Sequence, residues 1–473
     1  MFKDSLITID NLSNQEIEDI LDLGQHIQRD LRAFQNLASG YLMASLFFEP
    51  STRTRGSFES AMKRMGGQTI TTADVKSSSI EKGESLADTV RVWSGYTDLI
   101  VMRHPWEGAA RLASEYAHVP VINAGDGGHE HPTQTLCDLY TLKAEHGTLD
   151  GLRVALCGDL KNGRTIHSLT YALLRFGAQI IFIPGEGLEL PDHVKHKIAA
   201  VYGAPIERVR GDEMDLGSLF DSGVEGRADE AFVNAIYMTP RRPHQLAMYQ
   251  ERAHLKLPPG DKLLALYMTR RQNERAEGNI SGAYPRVNAK VMRKRILSKA
   301  IVMHPLPRID ELSTDMDSDP RSRYFEQGRN GVPVRMALIS LILNRKPWSL
   351  KRDEYEKHSL QNPFLVSGVE GLTCENLNCV AQQEPQSCDQ EILVYYEPSP
   401  WFLCKYCERS VLATHFCYKG RKQYHTVQEL RISSLDQLYR MRFFHTKEEA
   451  QQGGLVAAVS ALPKRMRVIE VTC

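Results

Sequence analysis

The stretch YLMASLFFEPSTRTRGSFESAMKRM, residues 41–65, contains the two elements from which the fold can be built. Its first eight residues are mostly apolar, which is typical of a buried strand. Phe58, Ala61, Met62 and Met65 then recur at the spacing of one helical face. The polar segment STRTR therefore lies between a strand and the helix that follows it.

The STRTR segment carries side chains that bind anions. Ser51, Thr52, Arg53 and Thr54 stand at the predicted helix N-terminus, where free backbone N–H groups and the helix dipole favour a phosphate. An arginine fork can bond two phosphate oxygens at once. The alternative is an ordinary helix cap by Ser51 with two solvated arginines, and this segment alone leaves both interpretations open.

The same order of strand and helix recurs along the chain. LRVALCGDL (152–160) precedes a stretch in which Ile166, Leu169 and Leu173 have helical spacing. Further strand candidates that end in polar clusters are DLIVMRH, PVINAGD, QIIFIPG, KLLALYMTR and AIVMHPLPR. Alternating strands and helices predict an α/β fold of two doubly wound parallel-sheet domains, with ligands at the carboxyl ends of the strands.

Composition shifts suggest where the domains begin and end. A charged, Pro-containing segment separates the α/β part from a C-terminal module that is rich in cysteine. The predicted units are a first domain at 1–147 completed by a helix at about 332–346, a second domain at 148–331, a linker at 347–366, and a β-rich module at 367–473.

Overall composition excludes several classes of protein. The 473 residues include 58 Lys and Arg against 58 Asp and Glu, so the chain cannot bind nucleic acid through bulk positive charge. The start, MFKDSLITIDNLSNQE, lacks a basic flank with an apolar core, and no apolar stretch approaches bilayer-spanning length. We therefore expect a cytoplasmic protein with neither nucleic acid nor membrane as a partner.

Other polar segments supply further candidate site residues, although each residue taken alone could be structural. Arg103 could neutralise an anion, His131 could donate to a polarised carbonyl, and Gln134 could orient an amide. A substrate with two carboxylates would suit Arg164 together with Arg270 and Gln272. The remaining candidates are the polar-loop residues Ser78 and Lys82 and the kinked-loop residues Pro305, Leu306 and Pro307, whose backbone carbonyls could accept from an amide.

One motif occurs twice. NAIYMTPRRP (234–243) and LALYMTRRQNER (264–275) share an apolar run that ends in Tyr-Met-Thr and two arginines. Arg270 is preferred over Arg241 because only the later copy continues as Thr-Arg-x-Gln. GDLKNGRTIHSL (158–169) contains no GxGxxG, so a dinucleotide-binding fold is disfavoured.

The nine cysteines are unevenly placed, since seven follow residue 370. Cys374 and Cys379, then Cys404 and Cys407, form two pairs at the spacing of zinc knuckles. The alternative is four unliganded cysteines. The other C-terminal cysteines fall outside these pairs and are expected to be free thiols: Cys388, Cys417 and Cys473.

Taken together, the motifs of residues 1–345 resemble aspartate carbamoyltransferase. The stretches that carry the resemblance occur in the family's order: FFEPSTRTRGSFE, SSSIEKGESLADT, MRHPWEGAARLA, NAGDGGHEHPTQTLCDLY, GDLKNGRTIHSL, YMTRRQNER and HPLPRIDELSTD. The resemblance implies transfer of a carbamoyl group from carbamoyl phosphate to aspartate, an early step of de novo pyrimidine biosynthesis, with no cofactor in catalysis.

The resemblance also implies a role for each candidate. Carbamoyl phosphate would be bound by Ser51, Thr52, Arg53, Thr54, Ser78, Arg103, His131 and Gln134 and by the loop Pro305, Leu306 and Pro307. Aspartate would be bound by Lys82, Arg164, Arg270 and Gln272. Catalysis would involve Arg53, Thr54, Lys82, Arg103 and His131. In the family the Ser78 and Lys82 loop comes from a neighbouring subunit, so a homotrimer with shared active sites, or a larger assembly, is expected.

The cysteine module resembles the zinc domain of the aspartate carbamoyltransferase regulatory chain, here fused behind a catalytic chain. This resemblance implies structural Zn²⁺ held by the four paired cysteines, without the nucleotide-binding domain that would precede it. Glu81 stands where some family members carry a lysine. Two alternatives remain at this stage: an ornithine-type carbamoyltransferase, which HPLPR and the absence of an SMG motif disfavour, and a zinc-dependent nucleic-acid-binding protein.

Overall fold

A computed structural model provides the structure. It describes residues 5–72, 83–184, 187–202, 207–208, 235–238, 264–270, 286–294, 297–343, 363–396, 400–430, 432 and 434–457. The predicted site residues Ser78, Lys82 and Gln272 lie outside these ranges, as do Arg241 and Cys473.

The first α/β unit is built on a parallel sheet of four strands in the order β2-β1-β3-β4. Its strands are β1 (Leu42–Phe47), β2 (Gln68–Thr72), β3 (Leu99–His104) and β4 (Val121–Asp126). Its helices are α1 (Asn14–Arg29), α2 (Thr52–Arg64), α3 (Leu86–Tyr96), α4 (Ala109–Tyr116) and α5 (Pro132–His146). The strand and helix predicted on either side of STRTR are thus confirmed as β1 and α2.

Both faces of this sheet are buried. Met43 and Val101 join one apolar cluster, whereas their neighbours Ala44 and Ile100 join another. Such alternation follows from the two-residue repeat of a strand, and burial on both faces is typical of parallel sheets in α/β proteins.

The second unit contains a parallel sheet of six strands in the order β10-β9-β8-β5-β6-β7. Its strands are β5 (Arg153–Gly158), β6 (Gln179–Pro184), β7 (Glu207–Arg208), β8 (Ala235–Met238), β9 (Ala265–Met268) and β10 (Ile301–Met303). Its helices are α6 (Arg164–Arg175) and α7 (Asp192–Tyr202). The parallel α/β prediction is therefore confirmed for both units.

A long helix, α8 (Tyr324–Ile342), returns from the second unit and packs against α1, α2 and α5 of the first. The predicted start at about 332 is wrong, since the helix begins at Tyr324, and the predicted end at 346 lies outside the described residues. The first turns carry the buried polar side chains of Gln327 and Asn330, which apolar periodicity could not reveal. These polar groups can be buried because they form hydrogen bonds within the protein. The helix therefore extends to the N-terminal side of its apolar residues.

The C-terminal module consists mainly of antiparallel strands. β11 (Phe364–Ser367), β12 (Glu391–Tyr395) and β13 (Trp401–Cys404) form one sheet. The second sheet contains β14 (His415–Tyr418), β15 (Gln423–Thr426), β16 (Met441–Phe444) and β17 (Val456–Ala457), with β17 parallel to β15. Short helices at Val380–Gln383, Leu435–Tyr439 and Lys447–Gln452 complete it. The strand that begins at Phe364 corrects the predicted linker of 347–366.

The module shares its core with the first α/β unit. Ala109 and Leu112 of α4 belong to the same buried cluster as Cys379, Val380 and Tyr406. Since apolar side chains from both parts are removed from water together, the module is docked on this unit. Among the described residues, no helix combines the length and apolar character required to cross a bilayer.

Candidate functional site

The candidate site lies where the strands of both parallel sheets end. Arg103 sits at the end of β3, directly beside Phe47 at the end of β1, from which the chain runs into STRTR. His131 precedes the first residue of α5, just after β4. Because the strands are parallel, their carboxyl ends bring these separate segments to one edge of the sheet.

Gly125 shows how closely three predicted residues approach one another. Its φ is +114°, and a Cβ added there would lie 3.4 Å from Arg164 Nη1, 3.4 Å from His131 Cδ2 and 3.5 Å from Arg103 Nη1. Any other residue would be strained at this φ and would fill the space that these side chains surround. One glycine thus marks the point where Arg103, His131 and Arg164 converge.

Arg53 adds another guanidinium to this group. Partial burial lowers the pKa of Arg53, and the nearby positive charges of Arg270 and Arg103 lower it further. Arg53 Nη2 also donates to the Leu306 carbonyl oxygen at 2.5 Å. The structure therefore places Arg53 near Arg103 and Arg270 and against the Leu306 carbonyl.

Arg55, by contrast, faces a different partner. Its Nε lies 3.7 Å from Glu59 Oε1 on the same helix. Within the described residues, the Ser51 side chain makes no hydrogen bond that caps α2. The helix-cap alternative for STRTR thus loses its main interaction, while the two arginines of the motif occupy distinct environments.

The arginines are oriented by acceptors that sequence analysis did not single out. Arg103 Nε donates to Glu49 Oε2 at 2.9 Å, and Arg164 Nη1 donates to the Gly127 carbonyl at 2.6 Å. Charge-assisted bonds of this kind are short and directional. Glu49 could have been identified from the sequence, because it lies just before the predicted anion-binding turn. The Gly127 carbonyl could not, because a backbone acceptor cannot be recognised from the pattern of side chains.

A buried polar network around Asp138 connects Gln134 of the first α/β unit to the second unit. Gln134 Nε2 donates to Asp138 Oδ1 at 2.8 Å, and Asp138 also accepts from Tyr267 of β9 and Gln327 of α8. Burial raises the pKa of Asp138 to about 7, even though these hydrogen bonds act in the opposite direction. Asp138 was not among the predicted site residues, although its position four residues after Gln134 on a predicted helix was an available signal.

The four paired cysteines form a compact buried cluster. The Sγ atoms of Cys374 and Cys407 are 3.7 Å apart, as are those of Cys379 and Cys404, and all four lie within 4.8 Å of one another. A tetrahedral zinc with Zn–S bonds of about 2.3 Å requires sulfurs about 3.8 Å apart, whereas a disulfide requires about 2.05 Å. The cluster therefore fits a tetrahedral metal ion rather than two disulfides.

The residues beside the cysteines dock the module on the first unit. Arg409 donates from Nη2 and Nε to the buried Glu107 carboxylate at 2.6 and 2.7 Å, and Asn376 Nδ2 donates to it at 2.7 Å. Glu107 Oε1 in turn accepts from the Gly128 backbone N–H at 3.2 Å. Glu107 thus connects the cysteine module to the loop that leads to His131.

A second cluster could hold a metal by composition: His129, Glu130 and Glu408. Lys197 Nζ, however, lies 2.8 Å from Glu408 Oε2 and 3.9 Å from Glu130 Oε1. Since an ammonium already supplies positive charge to both carboxylates, we assign no metal to this cluster.

Comparisons with known proteins agree with the geometry. Residues 4–144 match the family described as "Aspartate/ornithine carbamoyltransferase, carbamoyl-P binding domain", and residues 265–342 match "Aspartate/ornithine carbamoyltransferase, Asp/Orn binding domain". The cysteine module lies C-terminal to both matches.

Individual relatives match over nearly their whole length. The chain is 41% identical over 347 residues to the aspartate carbamoyltransferase catalytic subunit of Methanocaldococcus jannaschii, covering 72% of this chain and 97% of that one. It is 42% identical over 339 residues to the Methanopyrus kandleri catalytic subunit, covering 72% and 96%.

Solved structures of aspartate carbamoyltransferases are also similar to this chain. The M. jannaschii catalytic subunit superimposes with a TM-score of 0.56 at 40% identity, over 72% of this chain and 98% of that one. The Trypanosoma cruzi aspartate transcarbamoylase in complex with N-(phosphonacetyl)-L-aspartic acid gives 0.54 at 36% identity, over 71% and 94%.

Proposed function

The chain belongs to the aspartate carbamoyltransferase family, and we propose that its converging arginines carry out that reaction. It transfers the carbamoyl group of carbamoyl phosphate to the amine of L-aspartate, giving N-carbamoyl-L-aspartate and phosphate, an early step of de novo pyrimidine biosynthesis. The observation that carries the residue-level proposal is the approach of Arg103, His131 and Arg164 to Gly125.

Carbamoyl phosphate binds at the N-terminus of α2 in this proposal. The phosphate receives donors from Ser51, Thr52, Arg53, Thr54 and Arg103, together with the free N–H groups of the first helical turn. Partial burial lowers the pKa of Arg53, and repulsion from Arg270 and Arg103 lowers it further. A dianionic ligand would relieve this repulsion, which supports the assignment.

The carbamoyl group lies between His131, Gln134 and the kinked loop. Thr54, Arg103 and His131 donate to its oxygen, while Gln134 and the carbonyls of Pro305 and Leu306 accept from its amide. Pro307, which follows Leu306, holds the end of this loop. The hydrogen bond from Arg53 to the Leu306 carbonyl supports placing the loop beside the phosphate.

Aspartate binds on the side of the second unit. Arg164 at the start of α6 and Arg270 after β9 hold its two carboxylates, with Gln272 and Lys82 as further contacts. Arginine suits carboxylates because its planar fork matches their geometry. Two separate arginines also favour a dicarboxylate over ornithine, whose side chain ends in an amine.

The amine of aspartate then attacks the carbamoyl carbon, and the C=O electrons form an oxyanion. When the oxyanion collapses, the C–O bond to phosphate breaks and phosphate departs, taking up the amine proton. Donors aimed at the oxyanion are worth about 3 to 4 kcal/mol each. Holding both substrates side by side lowers the barrier further.

The assembly and the metal form the remaining part of the proposal. A homotrimer would supply Ser78 and Lys82 from a neighbouring subunit. Cys374, Cys379, Cys404 and Cys407 would hold one structural Zn²⁺, which would stabilise the module without taking part in the chemistry. Thiols kept available for a metal suit a reducing compartment, which supports a cytoplasmic location.

The decisive assay supplies carbamoyl phosphate to the purified full-length chain with either aspartate or ornithine. Carbamoyl-aspartate should form, and carbamoylation of ornithine should stay at background. Turnover of ornithine without aspartate would reject the assignment.

A further inference from the structure

Asp138 is the centre of a hydrogen-bond network that three elements share. Its Oδ1 accepts from Gln134 Nε2 and Gln327 Nε2, both at 2.8 Å, and from the Tyr267 hydroxyl at 3.1 Å. Asp138, Tyr267 and Gln327 are all buried, so each of these polar groups depends on its protein partners.

This network fixes which way the Gln134 amide faces. An ionised carboxylate can only accept hydrogen bonds, so the Gln134 NH₂ group must face Asp138. The Gln134 Oε1 atom is then directed away from Asp138. Gln134 is only partly buried and lies in the first turn of α5, three residues after the N-cap residue His131.

The same network reaches the loop that contains Leu306. Gln327 Oε1 accepts from the His304 backbone N–H at 2.9 Å, which fixes the Gln327 amide with its NH₂ toward Asp138. His304 Nδ1 accepts from the Leu306 N–H at 2.7 Å, and His304 Nε2 pairs with Glu311 Oε1 at 2.7 Å. One carboxylate is therefore connected to Gln134 and to the loop whose carbonyls are also assigned to the carbamoyl amide.

We propose that Asp138 is a positioning residue that makes the site selective for an amide, by presenting Gln134 Oε1 and the Leu306 carbonyl as paired acceptors for the NH₂ of carbamoyl phosphate. This inference rests on the proposed function. Two acceptors match the two N–H bonds of a carbamoyl group, whereas the methyl group of acetyl phosphate offers no donor. A site built to hydrogen-bond a substrate NH discriminates strongly against an analogue that lacks it.

The test compares the affinities of carbamoyl phosphate and acetyl phosphate, which differ only in NH₂ against CH₃. Both are titrated into the full-length assembly at a pH of about 8, where most of the Asp138 carboxyl is ionised. Asp138→Leu leaves the Gln134 amide without its acceptor. The preference for carbamoyl phosphate should fall by about tenfold, the value of one hydrogen bond, while acetyl phosphate affinity stays the same.

Two matched variants show whether orientation is the cause. Gln134→Leu removes the acceptor itself and should lose the preference to a similar extent. Asp138→Asn keeps an amide oxygen at the Oδ1 position and turns its NH₂ toward Tyr267, so it should retain the preference. A role in stability alone would weaken both ligands equally in Asp138→Leu, which would overturn the proposal.

Asp138→Ala covers the case in which Asp138→Leu does not fold. It removes the same acceptor with a smaller side chain and should reduce the preference to a similar extent. An unchanged preference in either variant contradicts the inference. If the wild-type protein binds no carbamoyl phosphate, the proposed function itself has failed.

Discussion

The arginine pocket, formed by Arg53, Arg103, Arg164 and Arg270, and the cluster of four paired cysteines each contain side chains of one kind. The two groups lie in different surroundings. Arg53 is exposed to solvent and lies near Arg270 and Arg103, whereas all four paired cysteines are buried and within 4.8 Å of one another. A guanidinium that reaches solvent, as that of Arg53 does, is screened by water and can await an anion. Buried thiolates require a cation that stays bound.

The two regions therefore have different roles, one in substrate binding and the other in stability. The positive charge of the pocket should be neutralised only while the anionic substrates are bound. Substitutions in the pocket should therefore lower turnover and leave stability almost unchanged. The cluster should require permanent neutralisation by a metal, so its substitutions should lower stability first.

Arg53→Ala provides the largest expected effect. Removing a donor to the phosphate and to the loop at Leu306 should reduce kcat roughly a thousandfold, as for other donors that stabilise developing charge. The thermal unfolding temperature should stay close to wild type, since repulsion among guanidiniums is relieved. Steady-state kinetics and calorimetry measure both quantities.

Arg55→Ala is the matched control from the same turn. Its guanidinium lies near Glu59 rather than near the other arginines, so kcat should remain within about twofold of wild type. Equal losses in the two variants would show that the motif supports the helix rather than the substrate.

Cys404→Ser tests whether the cysteine cluster binds a metal that stabilises the C-terminal module. Loss of one thiolate should abolish binding of about one zinc per chain and destabilise the C-terminal module by several kcal/mol, because binding free energy at structural zinc sites contributes to folding. Elemental analysis and denaturant unfolding report the two effects. Cys417→Ser, a buried cysteine outside the cluster, should keep its zinc; metal loss in both variants would contradict the assignment.

Arg409→Met tests the docking of the module. It leaves the buried Glu107 carboxylate without its charged partner and should lower the free energy of unfolding by about 2 to 3 kcal/mol. Arg442→Met removes an exposed pair with Glu370 and should cost less than about 1 kcal/mol. Similar costs in both variants would mean that Glu107 makes no special contribution.

The last prediction concerns pH. Burial raises the pKa of Asp138 to about 7, while Tyr267 and Gln327 donate to it and Arg335 lies nearby. Between its ordinary value near 4 and 7, the folded protein retains a proton that the unfolded chain has lost. Stability should therefore fall as pH rises through this window, by up to about 1.4 kcal/mol per unit.

The isosteric Asp138→Asn variant should lack this contribution. The difference in unfolding free energy between wild type and variant should change from about pH 5 to 7 and level off above 8. A difference that is constant over this range would show that the pKa of Asp138 is not raised.

Much of the fold follows from sequence pattern. The apolar run before STRTR and the helical spacing after it gave β1 and α2, and the cysteine spacing indicated the compact cluster. These features depend on local periodicity and on short-range spacing, which sequence displays directly.

The features that escaped prediction depend on contacts between distant segments. Nothing local shows that Gln327 bonds Asp138, or that Glu107 is the partner of Arg409. The first turns of α8 were missed for the same reason. Their polar residues are buried because they form hydrogen bonds with segments that are distant in sequence. The roles of Ser78, Lys82 and Gln272 remain predictions, because these residues lie outside the described ranges.

The proposed site is best tested by a crystal structure of this protein with N-(phosphonacetyl)-L-aspartate, the compound bound by the T. cruzi relative. Its phosphonate oxygens should lie within hydrogen-bonding distance of Arg53 and Arg103, and its carboxylates should contact Arg164 and Arg270. A phosphonate bound away from the start of α2, or carboxylates held without these two arginines, would contradict this assignment.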